Sequence, residues 1–155
     1  MSGQTSYTEF QPASVAGMQV DLTDSTIQSL AANESISFGR AVAYESQDKA
    51  RLCAAAGDIT SGTFAGFAVF DSSKVNQTGY LQYEVVNVMR QGVIYVESLE
   101  ATTIGGAVYI QHASGANRGK VAANSGANVA LLPNAKFMQT IGAAGLVAIS
   151  FNAAV

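Results

Sequence analysis

His112 is the single histidine of this 155-residue chain and Cys53 its single cysteine, so metal or nucleophile chemistry would have to be built around one of them. His112 follows an apolar run at 108–111, at the edge of a polar loop, with no second histidine or cysteine near it in sequence. A zinc centre needs three or four ligands, and nucleophilic catalysis needs a base and a group that orients it. Cys53 sits in Arg51-Leu-Cys-Ala-Ala-Ala56, the setting of a small buried hydrophobe, and alone it forms no internal disulfide. Glu84, Glu97 and Glu100 are the carboxylates that a paired acid/base site would draw on. Glu97 and Glu100, however, fall at a strand end, where solvated charge is the ordinary use. Asp21 and Asp24 lack the dense oxygen-ligand spacing of a calcium loop.

Gly115-Ala-Asn-Arg-Gly-Lys120 approaches a phosphate-binding loop but fails on its physics. Its glycines are too close together, Val121 replaces the Ser or Thr that would hold magnesium, and no helix is expected to follow. Asn33-Glu-Ser35 and Asn76-Gln-Thr78 match the glycosylation pattern without a secretion signal to give it use. No catalytic, cofactor-binding or metal-ligating set emerges, and a non-enzymatic protein without cofactor is expected.

The elements that would position such residues are strands. Gly92-Val-Ile-Tyr-Val96, Gly106-Ala-Val-Tyr-Ile110 and Gly145-Leu-Val-Ala-Ile149 each lead from glycine into β-branched, aromatic and aliphatic residues, which suit a pleated surface better than a helix. Further strands are expected within 36–44, 50–53, 63–70, 120–122, 137–140 and 146–151. Residues 83–90 and 93–97 form either a tight hairpin across Gln91-Gly92 or one long strand with a bulge. Residues 71–82 read as an exposed loop. Unequal spacing of the glycine-led strands excludes a solenoid repeat.

Residues 1–34 differ from the rest, being rich in Ser, Thr, Gln and Asp without sustained periodicity. They read as an extended N-terminal arm before a single β-domain at 35–155. Within the arm a short helical turn is expected, capped by Asp24 or Ser25 and carrying Ile27, Leu30 and Ala31. The fold class is all-β: one sandwich or barrel, jelly-roll-like, with that arm. Phe64, Phe67, Val69 and Phe70, like Val93 to Val96, place apolar groups on both strand faces, so a second layer or a neighbouring subunit must cover them.

Hydrophobic residues make up 48% of the chain and charged ones only 12%, well below the usual quarter. Such a surface favours self-association. The net charge of −3, with dispersed lysines and arginines, offers no basic stripe for direct nucleic-acid binding. Residues 1–6 lack the charged start and apolar centre of a signal peptide, and no apolar run approaches the ~18 residues that cross a membrane. Synthesis in the cytoplasm is expected.

Pro12-Ala-Ser-Val-Ala-Gly17, Asp21-Leu-Thr-Asp24 and Ser35-Ile-Ser-Phe-Gly-Arg-Ala-Val42 resemble, in order and spacing, the opening of the structural cement proteins of tailed bacteriophage heads. Phe64-Ala-Gly-Phe-Ala-Val69, residues 88–96, Gly105-Gly-Ala-Val-Tyr109 and Gly145-Leu-Val-Ala-Ile149 are similar to the later strands of that family. The resemblance implies a small β-sandwich or barrel on the outer surface of the virion. There it would bridge neighbouring major capsid protein subunits as a homodimer or homotrimer, with no catalytic residues to carry over from the family. Tyr7, Phe10, Val15 and Met18 are the expected arm anchors on the capsid, because aromatic and Met side chains fill pockets at modest entropy cost. The alternative is a carbohydrate-binding or head-fibre recognition module, which would expose loop aromatics; the loops 71–82 and 114–119 contain only Tyr80.

Overall fold

The computed structural model describes residues 15–20, 25–74 and 77–153. The strands are β1 (Thr26–Ala32), β2 (Ile36–Ser37), β3 (Ala41–Ser46) and β4 (Lys49–Leu52), followed by a four-residue helical turn, α1 (Gly57–Thr60). After these come β5 (Phe64–Ala68), β6 (Gly79–Tyr80), β7 (Val85–Ser98), β8 (Ala107–Gln111), β9 (Val121–Ala122), β10 (Val129–Phe137) and β11 (Gly145–Asn152).

The fold is organised by β7, a 14-residue strand that belongs to two closed rings. In the first ring β1, β4, β3, β5 and the first half of β7 pair in that order and close through β1–β7, from Ala31 opposite Val85 to Thr26 opposite Gln91. The second ring runs from the latter half of β7 through β11, β10, β8 and β9, and closes where Ser98 pairs with Val121. Of the sandwich and barrel alternatives, the barrel is realised, twice. Closing the rings removes the outer edges of the nine-stranded sheet, and β2 and β6 form a separate two-stranded sheet.

Gly92 explains why 83–97 was open to two readings. It lies inside β7 with φ +139, at the point where the strand leaves β1 and takes up β11. The bulged long strand is correct and the hairpin is not. Gly106 and Gly145, by contrast, stand at the starts of β8 and β11.

Two cores follow from the two rings. The first is filled largely by Leu30, Ala32, Val42, Ala50, Ala65, Ala68, Val86 and Val88. A ring of five strands has little internal room, which gives a physical use to the chain's many alanines. Ile94, Val96, Val108, Ile110, Val147 and Ile149 form the second core. Phe64 and Phe67 point away from the first core and join the second, where Phe67 meets Phe151 edge to face at 4.9 Å. The apolar residues on both faces of β5 are therefore covered within one chain.

Three expectations are corrected. The helical turn capped by Asp24 or Ser25 is replaced by β1, because the edge of β7 offers six residues of 26–31 ladder partners that a lone turn lacks. The boundary at residue 34 thus cuts through the first barrel, and the segment 26–32 belongs to the body. Residues 71–82 are not wholly exposed: Tyr80 in β6 is buried, and its hydroxyl donates to the Val69 carbonyl at 2.6 Å. Gly79 permits this, since a Cβ there would overlap the Ile36 carbonyl oxygen across the β2–β6 pair. Finally, β10 begins at Val129 and ends at Phe137, where a strand at 137–140 was expected; Pro133 disguises it. The ladder to β8 absorbs Pro133 in a register shift between Leu131 and Lys136, with Asn134 at φ +59.

Candidate functional site

The carboxylates with chemical potential are each engaged structurally. Glu84 accepts from Lys74 Nζ at 2.6 Å and from the Leu81 amide at 2.9 Å. Glu97 pairs with Lys120 at 3.0 Å. Glu100 accepts from the amides of Ala123 and Asn124, both at 2.8 Å, and from the Asn124 side chain at 2.9 Å. These three do not converge on a shared substrate position. His112 is half-buried, with its amide bonded to the Asn128 carbonyl at 2.9 Å. Cys53 is buried as expected, and burial pushes its thiol far up, so no reactive thiolate forms.

In place of a phosphate loop, residues 114–119 form a turn clamped by Arg40, whose Nη1 donates to the carbonyls of Ala116 at 2.8 Å and Arg118 at 2.7 Å. Among the described residues no group of three or more His, Cys, Asp and Glu could hold a metal, and no helix is long and apolar enough to cross a membrane.

The most elaborate charged cluster went unread in the sequence. Arg51 reaches Asp58 with both terminal nitrogens, at 2.7 and 2.8 Å, while the amides of Ala54 and Ala55 donate to the same carboxylate at 2.8 and 3.1 Å. Arg51 Nε also meets Glu45 at 2.6 Å. The Arg51 hydrogen bonds hold the Asp58 carboxyl down at about 2. Both carboxylate oxygens are engaged, Oδ2 by three donors and Oδ1 by one, which makes this a staple from β4 to α1. Arg51 and Asp58 are seven residues apart across a turn, a spacing that carries no recognised motif.

Surface shape is more informative than titratable groups. The described part of the arm lies along β7: the Gly17 amide donates to the Tyr95 carbonyl at 2.7 Å, the Tyr95 amide to Met18 at 3.0 Å, and the Val20 amide to Val93 at 3.1 Å. Gly17, at φ +84, sits against Gly39, at φ +76; a Cβ on Gly17 would lie 2.8 Å from the Phe70 nitrogen and 2.9 Å from that of Gly39. Two glycines meeting back to back let the arm lie flat on the body. Gly17→Ala is expected to loosen this root by about 2 kcal/mol, accelerating hydrogen exchange at the Tyr95 amide roughly 30-fold. The Val147 amide, on the far edge of β7, should not change.

Beside the arm root lies a cleft of about 440 Å³ walled by Val15, Phe38, Phe70 and Leu146, with Arg40 and Glu97 at its polar side. Of the expected arm anchors, Val15 and Met18 are half-buried against the body, and Tyr7 and Phe10 lie outside the described residues.

Exposed apolar side chains stand on the surface of both barrels and at the start of β7. At its start stand Leu81, Tyr83 and Val85, at 54%, 79% and 62% exposure. Beside the second barrel, in the segments before β8 and after β10, Ile104 and Met138 are 64% and 45% exposed. Their chains are held together by the Gly105 amide on the Phe137 carbonyl at 2.8 Å and by the Ile104 amide on Thr140 Oγ1 at 3.0 Å. Thirteen steps of about 3.3 Å put the strand's ends about 43 Å apart along its path.

Tyr83 occupies the third position of a turn closed by the Glu84 amide on the Leu81 carbonyl at 3.1 Å, with φ +72. Positive φ at that position alone is the type II pattern, which favours Gly or Asn. A tyrosine there costs about 1–2 kcal/mol.

Comparison with known proteins places this fold in a family. A model of phage cement proteins, described as "Structural cement protein (E217 gp24/Pam3 gp6)", matches residues 3–152. A solved structure titled "The capsid of Myoviridae Phage XM1" contains a chain with the same fold at TM-score 0.77 and 20% identity, with 98% of each chain covered. No curated protein matches the chain. With a family match over nearly its whole length and the fold seen in that phage structure, the chain belongs to the structural cement proteins of phages.

Proposed function

We propose that the protein decorates the outer surface of an icosahedral phage head and stabilises it by bridging neighbouring major capsid protein subunits. The observation that carries this reading is the pair of exposed apolar side chains Ile104 and Met138 beside the second barrel, together with the arm root fastened to the latter half of β7. Val15, at the start of the described chain, lines the cleft beside Glu97 and Leu146. One protomer therefore presents two contacts, a folded tip and an arm. A shell packed with DNA fails where its subunits part, and a protein that binds across that seam stabilises the closed state in proportion to its binding. Repetition over the shell makes many modest contacts act together.

The test is co-sedimentation with shells of the phage's own major capsid protein. A variant lacking residues 1–14 and the double variant I104D/M138D should each remain folded and bind shells at least about tenfold more weakly. The deletion stops short of Gly17 because removing residues 1–34 would take β1 out of the first barrel. Wild-type binding by both variants would defeat the proposal.

A further inference from the structure

We infer that the outer face of the first barrel around Tyr83 is a binding site for a pyranose sugar of the N-acetylhexosamine class. Three paired strands build it. Ala31 of β1 stands in register with Val85 of β7 on one side and with Lys49 of β4 on the other. Their chain neighbours Leu30, Ala32, Val86 and Ala50 belong to the first core, so the alternation along each strand turns Ala31, Val85 and Lys49 outward. A methyl group between two longer side chains leaves a shallow dip. Its width, two strand spacings of about 4.8 Å each, is close to that of one substituted pyranose ring. Tyr83 stands at the head of the dip, two residues before Val85. Its backbone is held at φ +72 by its own amide on the Ala32 carbonyl at 2.7 Å and by the turn bond from Glu84, yet its side chain is 79% exposed. A strained residue whose ring is held rigidly in solvent is placed for something outside the fold.

The surrounding groups select the occupant. A pyranose presents an apolar face of C–H bonds and a rim of hydroxyls, so it is held by one aromatic ring set among hydrogen-bonding groups. A protein contact instead centres on contiguous apolar area with charge kept from the middle. The first arrangement holds around Tyr83. Exposed Asp48 and Lys49 lie across Ala31, whose amide donates to the Asp48 carbonyl at 2.8 Å, and the Asp48 carboxylate accepts from Ser46 Oγ at 3.2 Å. The next outward position of β1 is Ser29, which donates to Asn87 Oδ1 at 3.2 Å. On the near side Gln82 Nε2 donates to the Asn33 carbonyl at 3.0 Å, and the side-chain oxygen of Gln82 is a further acceptor. Charge is balanced. Lys49 is matched by Asp48, and Lys74 meets Glu84 at 2.6 Å, a field that suits an uncharged sugar better than an anionic one. Leu81 and Val85, 54% and 62% exposed, flank the ring and give the methyl of an acetamido group an apolar place to lie. Exposed Ile27 lies outside the dip, about 13 Å from Ala31 along β1. The site goes beyond the capsid reading and does not depend on it.

Titration of the full, isotope-labelled chain with triacetylchitotriose, followed through backbone amide shifts, tests this. Saturable shifts are expected at the amides of Ala31, Lys49, Tyr83 and Val85, with a Kd on the order of 1 mM. Maltotriose, which lacks acetamido groups, should bind at least about tenfold more weakly. Y83F and I104D should bind the sugar as wild type does, because the ring is the platform and Ile104 lies beside the other barrel. Y83G should bind at least about tenfold more weakly yet melt no lower than wild type, since glycine relieves the turn and the lost binding is then not lost folding. No saturable shift at these amides up to about 10 mM sugar, or a Y83G protein that binds like wild type, would overturn the inference. Equal binding of maltotriose would sink the N-acetylhexosamine assignment. The other occupants have their own signatures. Shifts at the same amides on concentrating the chain without sugar, with no response to sugar, would give the face to a second copy. Shell binding lost by Y83G, again with no response to sugar, would give it to the capsid.

Discussion

Gly66→Ala should cost about 4 kcal/mol and lower the melting temperature by roughly 8–16 °C, the largest single-site effect expected in this chain. Gly66 crosses β7 at φ +143, and a Cβ there would overlap the Met89 carbonyl oxygen and lie 2.8 Å from its carbon. Relief would require β7 to move. That strand is ladder-bonded on both edges, to β1 on one and to β5 and β11 on the other, so the overlap cannot be absorbed locally. Two controls separate the causes. Gly105, at φ +80 with open space around it, isolates backbone strain, and its alanine variant should lose about 1 kcal/mol. Gly142 has open space and no positive φ, so Gly142→Ala should be near neutral. Denaturant midpoints of the three variants check the order, and a Gly66→Ala protein as stable as Gly105→Ala would refute the steric account.

Asp58→Asn is expected to cost about 3 kcal/mol at pH 7, because Arg51 is left partly buried without its bidentate partner while Glu45 keeps only one of its nitrogens. The pH dependence follows from the same contacts. The folded carboxyl titrates at about 2 against an ordinary 3.8, so its stabilisation is present above the unfolded value and disappears as pH falls through the folded one. That linkage is worth about 2 kcal/mol. The stability gap between wild type and Asp58→Asn should therefore be constant from pH 7 down to about pH 5 and narrow by about 2 kcal/mol on approaching pH 2. The difference between the two proteins cancels Glu84 and Glu100, whose carboxyls are also held low by Lys74 and by Asn124. A gap that does not vary with pH would show that the pair contributes nothing through charge.

The all-β class and most strand positions were legible because Val, Ile, Tyr and Phe gather in short runs bounded by glycine. What stayed hidden depends on partners distant in sequence. Thr26–Ala32 carries a mixed, polar pattern with helical spacing, and only the ladder from β7 makes it a strand. Val129–Phe137 carries a proline that ordinarily ends a strand, tolerated here by a register shift. The apolar residues on both faces of β5 did signal double coverage, but local pattern does not say whether a subunit or a second core supplies it. At the site, Tyr83 follows polar residues and precedes an apolar run, and nothing local distinguishes it from Tyr95 or Tyr109. Only the fold separates it from buried Tyr95 as a strained, exposed one.

The sharing of β7 by both barrels has a mechanical consequence. Tension applied between its ends runs along the strand, so the hydrogen bonds to β1 and β11, which lie across it, are loaded in shear and must yield as a group. Pulling the same strands apart sideways would open those ladders one bond at a time. A body threaded end to end by one such strand resists stretching along that axis far better than across it, and stiffness in that direction is what a tie between separating blocks requires.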